Sequence, residues 1–169
     1  FSVGTWARIG IQSLYALKTL HDIGYVHRDV KPSNFAIGKQ DDAEAARIIF
    51  ILDFGLSRSY AFKFDGLWIP RIARSKVSFR GTPKYCSPNI HDQMEQSRRD
   101  DLWSLMYILI EFHCGLPWKH NHEKSEIAKI KCFYPDDALM QNMPRETHSI
   151  IPLLRKMDYY DRPDYHAIY

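Results

Sequence analysis

The sequence predicts a mainly helical α+β fold, a bundle of helices with one short β-hairpin set into it. Three observations lead there. Trp6, Ile9, Ser13, Leu17 and Leu20 recur at three- and four-residue steps, the period of a helix with one buried face. Residues 102–110 are apolar nearly all round, which suits a helix enclosed by others. Between these two, Asn34-Phe35-Ala36-Ile37 and Ile48-Ile49-Phe50-Ile51-Leu52 are short runs rich in β-branched and aromatic residues, joined by a polar connection from Lys39 to Arg47.

Taken in order, the first helix runs from about Ser2 or Thr5 to His21, and Gly24 just beyond it suits a stop. Tyr25-Val26 then enters a polar octet, His27-Arg28-Asp29-Val30-Lys31-Pro32-Ser33-Asn34. The two short runs form a hairpin-like pair, and the continuous apolar stretch 48–52 reads as a buried strand. From Asp53 to Asn89 a long irregular segment is expected, because Gly55, Gly66, Pro70, Gly81, Pro83 and Pro88 punctuate it. The central helix follows, from about Arg98 to Phe112. Asp101, a carboxylate at the start of a buried helix, needs donors or serves as a cap. Smaller helices are expected at roughly 123–132 and 145–157, with Pro152 kinking the second or delaying its start. The stretch Tyr159 to Tyr165 leads into a last helix.

The octet carries a carboxylate, an ammonium and a carboxamide at offsets that suit transfer of a phosphoryl group from ATP to a hydroxyl. Asp29 can accept the proton of a hydroxyl nucleophile while orienting its oxygen. Lys31, two positions on, can hold a positive charge beside the γ-phosphate. Asn34 offers a neutral carbonyl oxygen, a hard ligand for Mg²⁺, and Pro32 stiffens the turn that carries it. Asp53 ends the second apolar run, twenty-four positions after Asp29, and opens Asp53-Phe54-Gly55. It supplies a second oxygen ligand from the adjacent strand, and Gly55 allows the bend that follows. A polar surface loop could spell the octet alone; the apolar run delivering Asp53 argues against that.

With Pro32-Ser33-Asn34-Phe35-Ala36-Ile37-Gly38, Leu52-Asp53-Phe54-Gly55-Leu56-Ser57-Arg58, Phe79-Arg80-Gly81-Thr82, Ser97-Arg98-Arg99-Asp100-Asp101-Leu102-Trp103-Ser104-Leu105, Leu116-Pro117-Trp118 and Arg162-Pro163-Asp164-Tyr165 in that order, the chain resembles the C-terminal lobe of a eukaryotic protein kinase. Within that superfamily it resembles the casein kinase 1 group, and most closely its tau-tubulin kinase branch. The similarity covers nearly the whole chain. It implies one kinase-like C-lobe over residues 1–169, with the N-lobe and the end of the last helix missing. It implies a serine/threonine protein kinase that uses ATP and Mg²⁺, with Asp29 as base, Lys31 as phosphate-facing cation, and Asn34 and Asp53 as metal ligands. It further implies that the Thr82 hydroxyl bonds Asp29 and Lys31, and that Asp101 bonds the loop backbone near His27 and Arg28. A lobe lacking the glycine-rich loop, the strand lysine and the helix glutamate is expected to be inefficient by itself. One departure is Ser87-Pro88-Asn89, where most kinases have Ala-Pro-Glu. A neutral Asn89 cannot form the ion pair with Arg162, and the casein kinase 1 group also lacks that glutamate. The alternative reading is a pseudokinase or scaffold binding module.

Composition narrows the partners. The net charge of +3 over 169 residues gives no case for nucleic acid, and no apolar run approaches the length of a membrane span. Three cysteines without a CxxC pair argue against a disulfide framework and for an intracellular setting, cytoplasmic or nuclear. The histidines and cysteines at 113, 114, 120, 122 and 132 match no familiar zinc spacing. Residues 71–99 carry seven Lys or Arg against Asp92 and Glu95, a local balance of +5. Arg80 and Lys84 in that stretch either bind an acidic or phosphorylated part of a protein substrate or belong to a solvated loop face. A basic residue at the position of Lys84 has that role in the casein kinase 1 group. The chain is read as a monomer.

Overall fold

A computed structural model describes residues 2–39 and 41–169. Helix α1 (Val3–Asp22) is capped by Ser2, whose hydroxyl accepts from the Thr5 amide at 3.2 Å. Its apolar stripe, with Trp6, Leu14, Leu17 and Leu20 buried, lies against α3 (Arg98–His113). The Trp6 indole N–H donates to the Leu109 carbonyl at 2.8 Å and ties the two helices together. The chain leaves α1 at Gly24, where φ is +87°.

Helix α3 is buried without a break from Arg99 to Ile110, as its all-round apolar character predicts. Around it pack Leu17, Trp118, Ile151 and Leu154, and Trp118 meets the ring of the helix's own Tyr107 edge-on at 5.0 Å. Short helices complete the bundle: α2 (Pro88–His91), α4 (Lys124–Phe133), α5 (Asp136–Met140), α6 (Ile150–Lys156) and α7 (Tyr165–Ile168). Pro152 is the third residue of α6, where its missing N–H would have had no helical partner. The expected 145–157 helix is accordingly delayed, and a single 3₁₀ turn at Arg145–Thr147 precedes it.

Among the described residues, six strands form three two-stranded antiparallel ladders. Strand β1 (Tyr25–Val26) pairs with β4 (Arg58–Ser59), β2 (Phe35–Ile37) with β3 (Ile49–Ile51), and β5 (Ala61–Phe64) with β6 (Leu67–Pro70). Two expectations need correction. The run 48–52 is not a buried strand: Ile51 packs on the core, while Ile48, Phe50 and Leu52 are exposed. The ladder is covered on one side, by α1, whose Gln12 carboxamide bonds both Arg47 O and the Ile49 N–H at 2.7 Å. Nor is 53–89 irregular throughout, because β4, β5 and β6 all lie within it.

Leu17 has no exposed surface, whereas Tyr15 is 71% exposed on the same helix. Leu17→Ala is expected to lower the urea-unfolding free energy by about 2–5 kcal/mol and Tyr15→Ala by less than about 0.5 kcal/mol. Equal losses would contradict the assignment of the buried face.

Candidate active site

The octet is shaped by a carboxylate from the central helix. Asp101, buried in the first turn of α3, accepts the His27 amide on Oδ2 at 2.7 Å and the Arg28 amide on Oδ1 at 2.9 Å. A third contact, 2.9 Å long, joins Oδ2 to Nε2 of buried His21, whose other ring nitrogen meets the Tyr165 hydroxyl at 2.7 Å. Arg28 is thereby held at φ +69°, a left-handed conformation that a long side chain seldom adopts. Its Nε donates to Leu56 O at 2.6 Å. His27 has no exposed surface; its ring reaches Leu52 O at 2.9 Å and packs edge-on against Phe54 at 5.5 Å. The octet and the Asp53 turn are thus one assembly, joined through His27.

Asp29 projects from this frame with each carboxylate oxygen engaged. Oδ2 pairs with the Lys31 ammonium at 2.6 Å, and Oδ1 accepts the Thr82 hydroxyl at 2.7 Å. The structure therefore brings Asp29, Lys31 and Thr82 together. Asn34, in the 3₁₀ turn Pro32–Asn34, is buried and donates from Nδ2 to Asp29 O at 2.9 Å. That contact leaves its Oδ1 without a protein donor among the described residues.

Asn34 O accepts the Leu52 amide at 2.8 Å, which sets Asn34 across the ladder from the residue preceding Asp53. Asp53 itself is exposed, at φ +61°, with Oδ1 accepting the Gly55 N–H at 3.3 Å. One carboxylate and one amide carbonyl from adjacent strands form a hard oxygen set. Such a set fits Mg²⁺, which takes few protein ligands and completes its shell with phosphate and water. Among the described residues no group of three or more His, Cys, Asp or Glu is placed to hold a metal ion, and no helix is long and apolar enough to cross a membrane.

The segment carrying Thr82 is tied down from several sides. Gly81, at φ +107°, crosses the octet so closely that a Cβ there would lie 2.6 Å from Arg28 O. Lys84 ion-pairs with Glu111 near the C-terminal end of α3, and the Tyr85 hydroxyl donates to the same carboxylate at 2.6 Å. Buried Lys131 of α4 donates to Pro83 O at 2.7 Å and Cys86 O at 2.6 Å, with the rings of Tyr107 and Trp118 beside it. Burial pulls the Lys131 ammonium down to about 8. Burial also pushes the Cys86 thiol up to about 11 and its neighbour His91 down to about 4, so both are neutral at pH 7 and the thiol is no activated nucleophile. Further out, Arg74 grips buried Glu95 through two bonds of 2.5 and 3.0 Å. Burial opposes ionisation of Glu95, yet Arg74 outweighs it and holds the carboxyl below its usual range.

Arg80 and Lys84 are placed differently. The Arg80 side chain is exposed, while the Lys84 ammonium already has Glu111 as its counter-ion. Asn89 donates to Asp100 Oδ1 at 3.1 Å, alongside Ser87 at 2.5 Å, and Arg162 reaches Asp22 at 3.4 Å instead. Reading the residues by type missed His21, Glu111, Lys131 and Glu95. Glu111 had a signal, as the first charge after a long apolar run, whereas the partners of the other three are set by tertiary contact.

Residues 1–169 match the protein kinase domain. The chain belongs to the protein kinase family. It is 43% identical over its whole length to an inactive tau-tubulin kinase of Caenorhabditis elegans, covering 60% of that protein. It is 44% identical over 99% of its length to a putative serine/threonine-protein kinase of the same nematode, covering 48% of it. A putative casein kinase I of that organism is 38% identical over 90% of the chain and is covered to 44%. The chain thus spans about half the length of these curated relatives, which are tau-tubulin kinase-like and casein kinase I-like.

Gly66, also at positive φ but with open space around it, provides a control for Gly81. Gly81→Ala should cost about 2–4 kcal/mol in urea unfolding, from backbone strain plus the collision with Arg28 O, and Gly66→Ala about 1 kcal/mol from conformation alone. Similar costs at the two sites would show that the close crossing at Arg28 does not matter.

Proposed function

We propose that the chain is the C-terminal lobe of a serine/threonine protein kinase that transfers the γ-phosphate of ATP to protein hydroxyls. The observation that carries this reading is the fixed Asp29 carboxylate, tethered on one oxygen by Lys31 and on the other by Thr82 from a segment fifty-three residues away. Asp29 orients the incoming hydroxyl and accepts its proton. Lys31 balances the charge of Asp29 and faces the transferred phosphate. Thr82 links the substrate-side segment to the base, so that the two are ordered together. Mg²⁺, held by Asn34 and Asp53, would neutralise the ATP phosphates. The basic stretch 71–99, with Arg80 exposed, supports a preference for acidic or phosphorylated substrates. The odd cysteine count without a CxxC pair is the ground for placing the protein in a reducing, intracellular setting, cytoplasmic or nuclear.

A second reading is a lobe that binds without catalysing. It is favoured by one observation, that a relative 43% identical is named inactive. The polar constellation at Asp29, Lys31, Asn34 and Asp53 favours catalysis.

The two are separated by Mg-ATP-dependent transfer to casein and to an acidic serine peptide, with the protein expressed at its full natural length. Transfer by the parent, reduced about a hundredfold or more in Asp29→Asn, is the expected result. Equal transfer by the variant would remove Asp29 from the chemistry. A folded parent that transfers nothing would favour the binding reading.

A further inference from the structure

The hairpin β5–β6 takes no part in the site above and has one face that the described residues leave largely open. Its register sets Phe62 opposite Ile69 and Phe64 opposite Leu67. Successive strand residues point to opposite sides, so these four share one side, and Lys63 and Trp68 share the other. The second side meets the body of the protein at one end, while Lys63 there is exposed and Trp68 is 46% exposed. Ala61 there is buried, and a Cβ at Gly24 would come within 2.7 Å of the Trp68 ring.

The first side is open: Phe62, Phe64, Leu67 and Ile69 are 41, 67, 71 and 38% exposed. They offer on the order of 400 Å² of apolar surface, as much as a monomer usually leaves in one patch. The hairpin is not held this way by a lax turn. Asp65 and Gly66 are both at positive φ, the two-residue turn that matches strand twist, so the face is preformed.

Size and charge point to the occupant. A stable pairing of two copies needs about 800 Å² from each, roughly twice what this face supplies, so a single segment of chain fits better than a second copy. The Arg71 guanidinium lies 5.4 Å over the Phe62 ring, at the edge of the face. From Arg58 to Arg80 there are six basic residues and one acid, Asp65. Only Arg74 among the six is bridged to a carboxylate among the described residues. An anionic bilayer would also take apolar and basic groups, but Asp65 stands at the tip of the turn, the part that would enter first.

We propose that the open face of β5–β6 docks a segment of a partner protein in which apolar side chains are interspersed with carboxylates. The apolar side chains would cover the two cross-strand pairs, and a carboxylate would meet Arg71. This inference does not depend on the phosphoryl-transfer reading.

The probes are two fluorescent peptides of about 15 residues with the same leucine and phenylalanine positions, one carrying glutamate between them and the other lysine. Vesicles of phosphatidylcholine and phosphatidylserine serve as a third. Fluorescence anisotropy should show the glutamate peptide bound with a Kd of about 10 μM and the lysine peptide at least about tenfold weaker. Phe64→Asp with Leu67→Asp, and separately Arg71→Glu, should each weaken the glutamate peptide about tenfold or more with an unchanged thermal midpoint, because all three residues are exposed. The proposal is overturned by no binding of the glutamate peptide, by equal binding of both peptides, or by variants that bind as well as the parent. It is equally overturned by vesicle binding without peptide binding, or by self-association that the double variant abolishes.

Discussion

Asp101 is the contact on which the site depends. A carboxylate in the first turn of a buried helix is costly unless donors surround it, and here three groups do so: the amides of His27 and Arg28 and the His21 ring. In return the octet is fixed at its first two residues, including the left-handed Arg28. Once Arg28 is set, Asp29 follows, and so do the Leu56 contact, the close passage of Gly81 and the reach of Thr82 to the Asp29 carboxylate. The polar anchor and the apolar helix are one design, since α3 is rigid because it is buried and Asp101 is useful because α3 is rigid.

The other acids of α3 extend that logic. Asp100, fully buried, gathers Ser87, Asn89 and the Ser97 amide; burial raises its carboxyl despite those donors. Glu111, near the far end, holds Lys84 and Tyr85. One helix therefore positions the 27–34 loop, the Ser87–Asn89 turn and the Lys84–Tyr85 stretch through three carboxylates. Lys131 adds the complementary charge from α4, satisfying two carbonyls of the same segment. Asn89 acts within this network, which explains how the segment is anchored without an ion pair to Arg162.

Much of this was legible in the sequence. The helical stripe of α1, the all-round apolar α3 and the late start forced by Pro152 are local consequences of period and of a missing N–H, and the structure shows each of them. The pairing of residues 34–37 with 48–52 was also readable, although its burial was not. An apolar run says that a strand forms, while the number of layers that cover it is a tertiary matter. The β5–β6 hairpin was overlooked despite its signal, Asp65-Gly66 flanked by alternating aromatic and aliphatic residues, because proline and glycine nearby were read only as punctuation. Asp29, Lys31 and Asn34 were readable together from the octet, whereas the reach of Thr82 to Asp29 followed from family resemblance, since no periodicity brings residue 82 to residue 29. The counter-ions Glu95 and Asp22 are set by the packing of distant segments, and a single sequence carries no trace of them.

The central claim, that Asp101 orders the 27–34 loop from the core, is tested most directly by amide hydrogen exchange in Asp101→Asn. Loss of a charge-assisted acceptor for two backbone amides should speed exchange at His27 and Arg28 by about tenfold to a hundredfold, with little change at Ile108 and Leu109 in the middle of α3. Unchanged protection at His27 and Arg28 would mean that the loop keeps its shape without Asp101. A uniform rise across α3 and the loop alike would mean that Asp101 supports the whole fold rather than the site.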